Sequence, residues 1–401
     1  MIDTILKKQN PWWENKDLKF KIFQRDILSE LIINLDNDKI LALVGSRQVG
    51  KTSLLYLLIE HLLKRVKSTD ILYFNLDDFE VRGLFSSANT FLQYLQIENT
   101  TKYVFIDEVQ RLDNPGLFLK SIHDLNLNLK IIVSGSSQLE LRAKLKEFLV
   151  GRLRQLEISR LTLHEMLKLS PNIPKKSILE SMMLYGSYPE IAKQNNFEEK
   201  KLLLNDIYQT YLQKDVADFA KIENIDAFNK LLILLAAQIG SLLNVHHLAK
   251  TLRISTQKII SYLDILEGTF IIKRIYPFFK NYKKEISKTP KIYFMDLGLR
   301  NLLLGNWQTL ELRSDQGALF KNLVFIELYN QDIYKLKRYH FWRTTNQTEI
   351  DFIIEDGSTL KAIEAKYSNN KNPKAFATFL EYYPKAITDL ITSETIGNLL
   401  T

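Results

Sequence analysis

Residues 45–52 read Gly45-Ser46-Arg47-Gln48-Val49-Gly50-Lys51-Thr52, between an apolar run at 39–44 and an amphipathic stretch that begins near Lys51. Two glycines at this spacing let a loop wrap a phosphate, with successive backbone N–H groups turned inward. Lys51 would reach the β- and γ-phosphates and Thr52 would hold Mg²⁺. A helix starting at Lys51 would present its positive end to the anion. With Ser53 in the first helical turn, Gly45 to Ser53 form the expected nucleotide-contacting set. No Asn-Lys-x-Asp segment, which reads guanine, occurs in the chain, so ATP is the expected nucleotide.

Downstream, Tyr103-Val104-Phe105-Ile106 runs into Asp107-Glu108, an apolar strand delivering carboxylates to its end. Asp107 would organise the Mg²⁺ shell, and Glu108 would polarise the attacking water. The apolar run 130–133 leads into Ser134-Gly135-Ser136-Ser137, where Ser134 or Ser136 is the candidate γ-phosphate sensor, although an ordinary serine-rich turn would read the same. In Gly151-Arg152-Leu153-Arg154, Arg152 is the candidate to stabilise transferring charge, from a neighbouring subunit or a movable lid. A surface ion pair accounts for a single arginine equally well.

Around these motifs, short β-rich runs at 39–44, 71–75, 103–106 and 130–133 alternate with helical stretches, the pattern of a mostly parallel sheet with crossover helices. Residues 1–160 are therefore expected to form a P-loop ATPase core. From 161 to 289 apolar residues recur at helical spacing, and strand-like alternation returns only near 270–276. Within this stretch Val245 to Leu263 reads as helix, turn, helix, with Ser255 placed to cap the second helix. Together with 270–276 as a wing it resembles a winged helix-turn-helix. Such a unit would expose Thr256, Gln257, Lys258 and Ser261 to DNA, aided by Lys273, Arg274, Lys280, Lys283 and Lys284, or would dock protein instead. His246 and His247 point in different directions on a helix and make no metal pair.

Residues 290–401 restore mixed α/β character, with a helix around 319–329 and strands at 339–343, 350–355 and 360–365. Asp351 sits within Glu349-Ile350-Asp351-Phe352-Ile353, and the next strand carries Glu364-Ala365-Lys366. Alternation along a strand puts Glu364 and Lys366 on one face. Two carboxylates suit Mg²⁺, and a lysine beside them can orient a metal-bound water for attack on a phosphodiester, as in the PD-(D/E)xK nucleases. Charged positions on two polar strand faces would give the same spacing. Glu327 is a candidate third carboxylate.

Composition bounds these readings. A length of 401 residues suits two or three domains, and 46% hydrophobic with 25% charged residues describes a folded chain rather than a disordered one. Lysine and arginine outnumber aspartate and glutamate by 54 to 46; the net +8 favours a polyanionic partner such as DNA but also fits a mildly cationic surface. No cysteine is present, which excludes disulfides, zinc–cysteine sites and thiol catalysis and favours a reducing, cytoplasmic setting. The first 20 residues mix charges with Trp12 and Trp13 and lack the apolar core of a secretory signal. The longest apolar stretch, 231–245, is broken by Gln238, Ser241 and Asn244 and is too short to span a bilayer.

These segments, with Asn10-Pro11-Trp12-Trp13, Val109-Gln110, Tyr188-Pro189-Glu190, Lys291 to Gly298 and Trp342-Arg343, resemble one family over nearly the whole chain. It is that of bacterial and archaeal AAA-type ATPases joined to a C-terminal domain of unknown function of the restriction-endonuclease-like kind. The resemblance implies an α/β chain with an additional-strand (ASCE) P-loop sheet, a helical lid, a winged helix and a nuclease-like end domain. Lys214-Asp215 departs from it, standing where an arginine–aspartate pair is usual. Two functions follow as expectations: an ATP-driven protein acting on or near DNA, or a nucleotide-gated switch that signals or assembles through protein partners or its own copies, its end domain serving as a docking surface.

Overall fold

The computed structural model describes residues 2–97, 100–136, 149–211, 222–279, 289–368 and 373–400. Ser137, Lys214, Asp215, Lys280, Lys283 and Lys284, singled out above, lie outside the described residues. The chain divides into two units, Met1–Ser159 and Arg160–Thr401.

In the first unit α1 (Ile2–Gln9) and α2 (Leu28–Ile33) precede β1 (Ile40–Val44). Then come α3 (Lys51–Leu62), β2 (Ile71–Asn75), α4 (Phe79–Gly83), α5 (Ala88–Leu95), β3 (Lys102–Asp107), α6 (Pro115–His123), β4 (Leu129–Gly135) and β5 (Leu153–Glu157). The strands form a parallel sheet in the order β2-β3-β4-β1-β5. Every residue of β1 is buried, as a strand covered on both faces requires, and its sequence Ile-Leu-Ala-Leu-Val is correspondingly unbroken. Because β4 separates β1 from β3, the loop after β1 and the acids after β3 meet at one edge of the sheet with a strand between them. This is the additional-strand arrangement that the resemblance implied.

The outer edge of β2 would leave backbone groups unpaired. Side chains of the Gln9-Asn10-Pro11-Trp12-Trp13 segment take them instead. The Asn10 amide donates to Tyr73 O (2.9 Å) and its oxygen accepts from Tyr73 N (2.6 Å). Both indoles donate to Ile71 O, and Gln9 accepts from Asn75 N.

The second unit contains α7 (Leu163–Leu169), α8 (Lys175–Tyr185), α9 (Pro189–Ala192), α10 (Phe197–Ile207), α11 (Ile225–Ala237), α12 (Val245–Leu252) and α13 (Thr256–Gly268). They are followed by β6 (Ile272–Pro277), β7 (Lys291–Phe294), α14 (Leu297–Leu304), α15 (Gln316–Gln331), β8 (Arg338–Arg343), β9 (Glu349–Asp356), β10 (Thr359–Lys366), α16 (Lys374–Tyr382) and β11 (Ile387–Thr392). Six strands make one mixed sheet, β11-β10-β9-β8-β6-β7. The expected boundary at 289/290 runs between β6 and β7, two antiparallel strands of this same sheet. The segments around Tyr188 and Asp296 hold helices together: Asp296 caps α14 through Leu299 N (2.9 Å) and accepts from Ser187 N (3.1 Å). A Cβ on Gly186 would overlap the Asp296 carboxylate, so only glycine fits there.

One irregularity decides where Asp351 points. His340 faces Ile353 and Trp342 faces Ile350, so Asp351 and Phe352 together oppose Phe341, a β-bulge. Regular alternation would send Asp351 and Phe352 to opposite faces. The bulge instead turns Ile350 and Ile353 to the cluster with Phe376 and Phe379 of α16. Asp351 and Phe352 both turn toward α15, meeting Lys321 and Phe325.

Candidate functional site

The phosphate loop is built on backbone that glycine permits. Gly50 has φ 92° and caps α3, Gln48 has φ 62°, and a Cβ on Gly45 would overlap the Ile158 carbonyl oxygen. Gly45, Ser46 and Val49 are buried, Arg47, Gly50, Thr52 and Ser53 half-buried, and Gln48 exposed. Lys51, 5% exposed, lies beneath the loop and donates to Gly45 O (3.0 Å) and Ser46 O (2.9 Å). Burial pushes its pKa down; the charges of Glu108 and Asp107 oppose that shift. The Ser46 hydroxyl is buried without a hydrogen-bond partner. Arg25, which belongs to no sequence motif, ties the loop down from outside through Val49 O (2.9 Å) and Ser159 O (3.0 Å).

At the end of β3, Asp107 is the acceptor for three hydroxyls. Thr52 (2.7 Å) and Tyr73 (2.8 Å) donate to one carboxylate oxygen and Ser134 to the other. Glu108 follows in a left-handed conformation (φ 57°), its N–H donating to Ser134 Oγ (3.2 Å). The Gln110 amide donates both to Glu108 and to Ser136 Oγ (3.0 Å). Ser134 thus touches Asp107, whereas Ser136 is tied to Gln110. Tyr73 and Gln110 were also missed: an aromatic in an apolar strand reads as core, and Gln110 lies beyond the acid pair.

Arg152 is not brought to this edge. Its carbonyl accepts from Ile40 N and its guanidinium holds Asp124 (2.6 Å), at the start of β1 and β5. In a parallel pair that end is the whole length of β1, about 16 Å, from the phosphate loop. Within this chain Arg152 is a surface ion pair.

Residues 37–167 match the family model described as "AAA domain". The amino-terminal unit carries an AAA-type P-loop domain. Residues 176–309 and 316–395 match two models, each described as a domain of unknown function. An uncharacterized protein of Methanocaldococcus jannaschii is 27% identical, covering 97% of this chain and 88% of its own. One of Haemophilus influenzae is 26% identical over 88% and 89%. Among solved structures, the Aeropyrum pernix ORC1 protein in complex with DNA is 13% identical, covering 74% of this chain and 97% of that one at a TM-score of 0.33. AMPPCP-bound DnaA from Aquifex aeolicus is 16% identical, covering 60% and 86% at 0.32. At such scores the likeness assigns no function.

In the second unit the bulge brings Asp351 and Glu364 into hydrogen-bond contact, and Lys366 Nζ stands 3.8 Å from Glu364. Asp351 also accepts from Ala365 N (3.1 Å), just beyond the last pair between β9 and β10, Phe352 with Ile363. Lys321, on α15, forms an ion pair with the other Asp351 oxygen. Burial, then the hydrogen bond to Asp351, pushes Glu364 up to about 9. Burial works to raise Asp351 too, but the Glu364 hydrogen bond and the Lys321 charge outweigh it and hold it low.

Glu327 does not join them. Six residues beyond Lys321 it lies about 120° round the helix, and both its oxygens accept from Leu163 N at the start of α7 (3.2 and 3.1 Å). Burial pushes it up to about 8.

Ser255 caps α13 as expected, through Lys258 N (3.1 Å). The outer face of α13 presents Gln257, Ile260, Ser261 and Asp264. Among the described residues, the cations counted toward a DNA contact are engaged by acids: Lys258 with Glu223 (2.6 Å), Lys273 with Glu267 (2.8 Å), Arg274 with Asp264 and Glu267 (2.6 and 2.7 Å). Lys250 and Arg253, beside the turn, are exposed. Among the described residues no helix is long and apolar enough to cross a membrane.

Proposed function

We propose that the amino-terminal unit binds ATP with Mg²⁺ and hydrolyses it. The observation that supports this best is the convergence of Lys51, Thr52, Asp107 and Glu108 at one sheet edge, with the buried Ser46 hydroxyl unpartnered in the loop. Lys51 would exchange two loop carbonyls for phosphate oxygens. Thr52 and Asp107, now hydrogen-bonded to each other, would hold Mg²⁺, which when bound neutralises charge on the phosphates. Glu108, fixed by Gln110, would accept a proton from the attacking water. Ser134 would keep Asp107 oriented. The test is thermal melting with Mg²⁺-ATP followed by phosphate release, comparing wild type with Lys51→Ala and Glu108→Gln. A melting temperature that nucleotide leaves unchanged would overturn the reading.

For the output of hydrolysis, we favour the nucleotide-gated switch with protein or self-association partners, because the α13 face carries an acid and Lys258 and Arg274 beside it are paired with acids. Division of labour among 1–160, 161–289 and 290–401 is part of this reading. Action on DNA is supported by the α12–α13 arrangement and by exposed Lys250 and Arg253. Measuring ATPase rate with duplex DNA at rising salt separates the two: a DNA-stimulated rate that decays with salt supports nucleic-acid action and rejects the switch.

A further inference from the structure

We propose that Lys321 supplies the positive charge of the Asp351–Glu364 cluster in place of a divalent cation, so that the C-terminal domain acts without a bound metal. A Mg²⁺ site of hard oxygens needs carboxylate oxygens that are open and a surplus of negative charge. Neither is present here. One Asp351 oxygen is taken by the Lys321 ammonium and the other by Ala365 N (3.1 Å). Glu364 is hydrogen-bonded to Asp351 and flanked by Lys366 at 3.8 Å. The hydrogen bond between the two acids holds one proton, so a single negative charge faces two ammonium groups and none is left over for a cation.

The next acid along β9 does not tip this balance. Glu349 pairs with Lys291 and lies 3.8 Å from Arg343. Glu327 is occupied at α7. Among the described residues no group of three or more histidine, cysteine, aspartate or glutamate side chains is placed to hold a metal ion. Lys321 is seated rather than trailing: it projects from the middle of a helix whose flanking Phe320 and Asn322 are fully buried, and only 30% of its side chain is exposed. The bulge in β9 that turns Asp351 toward α15 delivers the carboxylate to this lysine. The residues thus do not fit a divalent ion as they stand.

The inference is independent of the phosphate loop, and its test uses no nucleotide, so failure of either reading leaves the other intact. Mn²⁺ binding to the full chain would be followed by the electron paramagnetic resonance of free Mn²⁺, in wild type, Asp351→Asn, Lys321→Met, Lys321→Gln and the double variant Lys321→Met/Asp351→Asn. Wild type and Asp351→Asn are expected to give superimposable isotherms. Lys321→Met and Lys321→Gln should each gain one site, about tenfold or more tighter than any Asp351-dependent binding in wild type, and the double variant should lose it. Wild-type binding that Asp351→Asn abolishes overturns the proposal whether or not the lysine variants fold. So does the lack of a gained site in lysine variants that circular dichroism shows to be folded.

Discussion

Two regions of this molecule use the same ingredients to opposite effect. At the end of β3 a buried aspartate, Asp107, lies near a buried lysine, Lys51; on the bulged strand β9 a buried aspartate, Asp351, meets Lys321. In the first region the lysine is held by loop carbonyls, and the carboxylate is left with three hydroxyls, partners that carry no charge to compete with a cation. In the second the lysine takes the carboxylate itself. A strand-borne acid with a lysine nearby is therefore not one kind of site. What matters is whether the ammonium is spent on backbone or on the acid, and that is fixed by the element carrying the lysine: a glycine-shaped loop and helix start, or the middle of a packed helix.

The largest effect should come from removing the first lysine. Lys51→Ala is expected to lower the ATPase rate by about 10³-fold, on the order of 4 kcal/mol, and to abolish stabilisation by Mg²⁺-ATP. Steady-state phosphate release and nucleotide-dependent melting report both. An unaltered rate would mean that the two regions do not differ as described.

Next in size is the second lysine. Lys321→Gln leaves Asp351 buried with its ion pair broken and should cost about 3 kcal/mol in urea unfolding. Adding Asp351→Asn should recover most of that loss, because the neutral pair needs no counter-charge. If the double variant is as unstable as the single, packing rather than charge is what Lys321 contributes.

Glu327 sharpens the comparison as a third way to bury a carboxylate, with two contacts to one N–H and no cation. Its folded pKa of about 8 lies above the ordinary 4.5, so the native state binds the extra proton between those values. Its contribution is fully present below pH 4.5 and is lost as pH rises through about 8. Glu364 acts in the same direction, so the difference between wild type and Glu327→Gln isolates this residue. From pH 5 to 8 wild type should lose about 3 to 4 kcal/mol more than Glu327→Gln. Parallel stability curves would place the ionised carboxylate in the fold.

Legibility in the sequence follows the same division. Four strands of the first sheet and the loop from Gly45 to Thr52 could be read directly, because glycine spacing and unbroken apolar runs are local signals; β5, Leu-Arg-Gln-Leu-Glu, has no such run and does not read as a strand. The Asp351, Glu364 and Lys366 grouping was also visible as a pattern. Lys321 was not, since a lysine in an apolar helix reads as a solvated position until the bulge in β9, which has no local signature, brings Asp351 to it. Glu327 and Arg152 lie away from the two clusters of their own chain for a related reason: residue type suggested a role, but helix phase in one case and strand direction in the other put the group elsewhere. Arg25 and Asn10 act through backbone carbonyls and amides distant in sequence, contacts that no spacing rule reveals.

The smallest expected effect tests whether the hydroxyl cage around Asp107 is tuned from the sheet edge. Tyr73 is pinned on both sides: its backbone pairs with the Asn10 amide, and its ring meets Trp12 edge-on at 6.4 Å and Tyr56 at 5.2 Å. Its hydroxyl donates to Asp107 Oδ2, the same oxygen that accepts from Thr52. Tyr73→Phe keeps the ring and removes one donor, worth about 1 kcal/mol. Stability should change by no more than that, while half-saturation by Mg²⁺ in the ATPase assay shifts a few-fold at unchanged affinity for ATP alone. If the Mg²⁺ dependence is identical in the variant, Thr52 and Ser134 suffice to orient Asp107, and the Asn10 to Trp13 segment serves only to close the edge of β2.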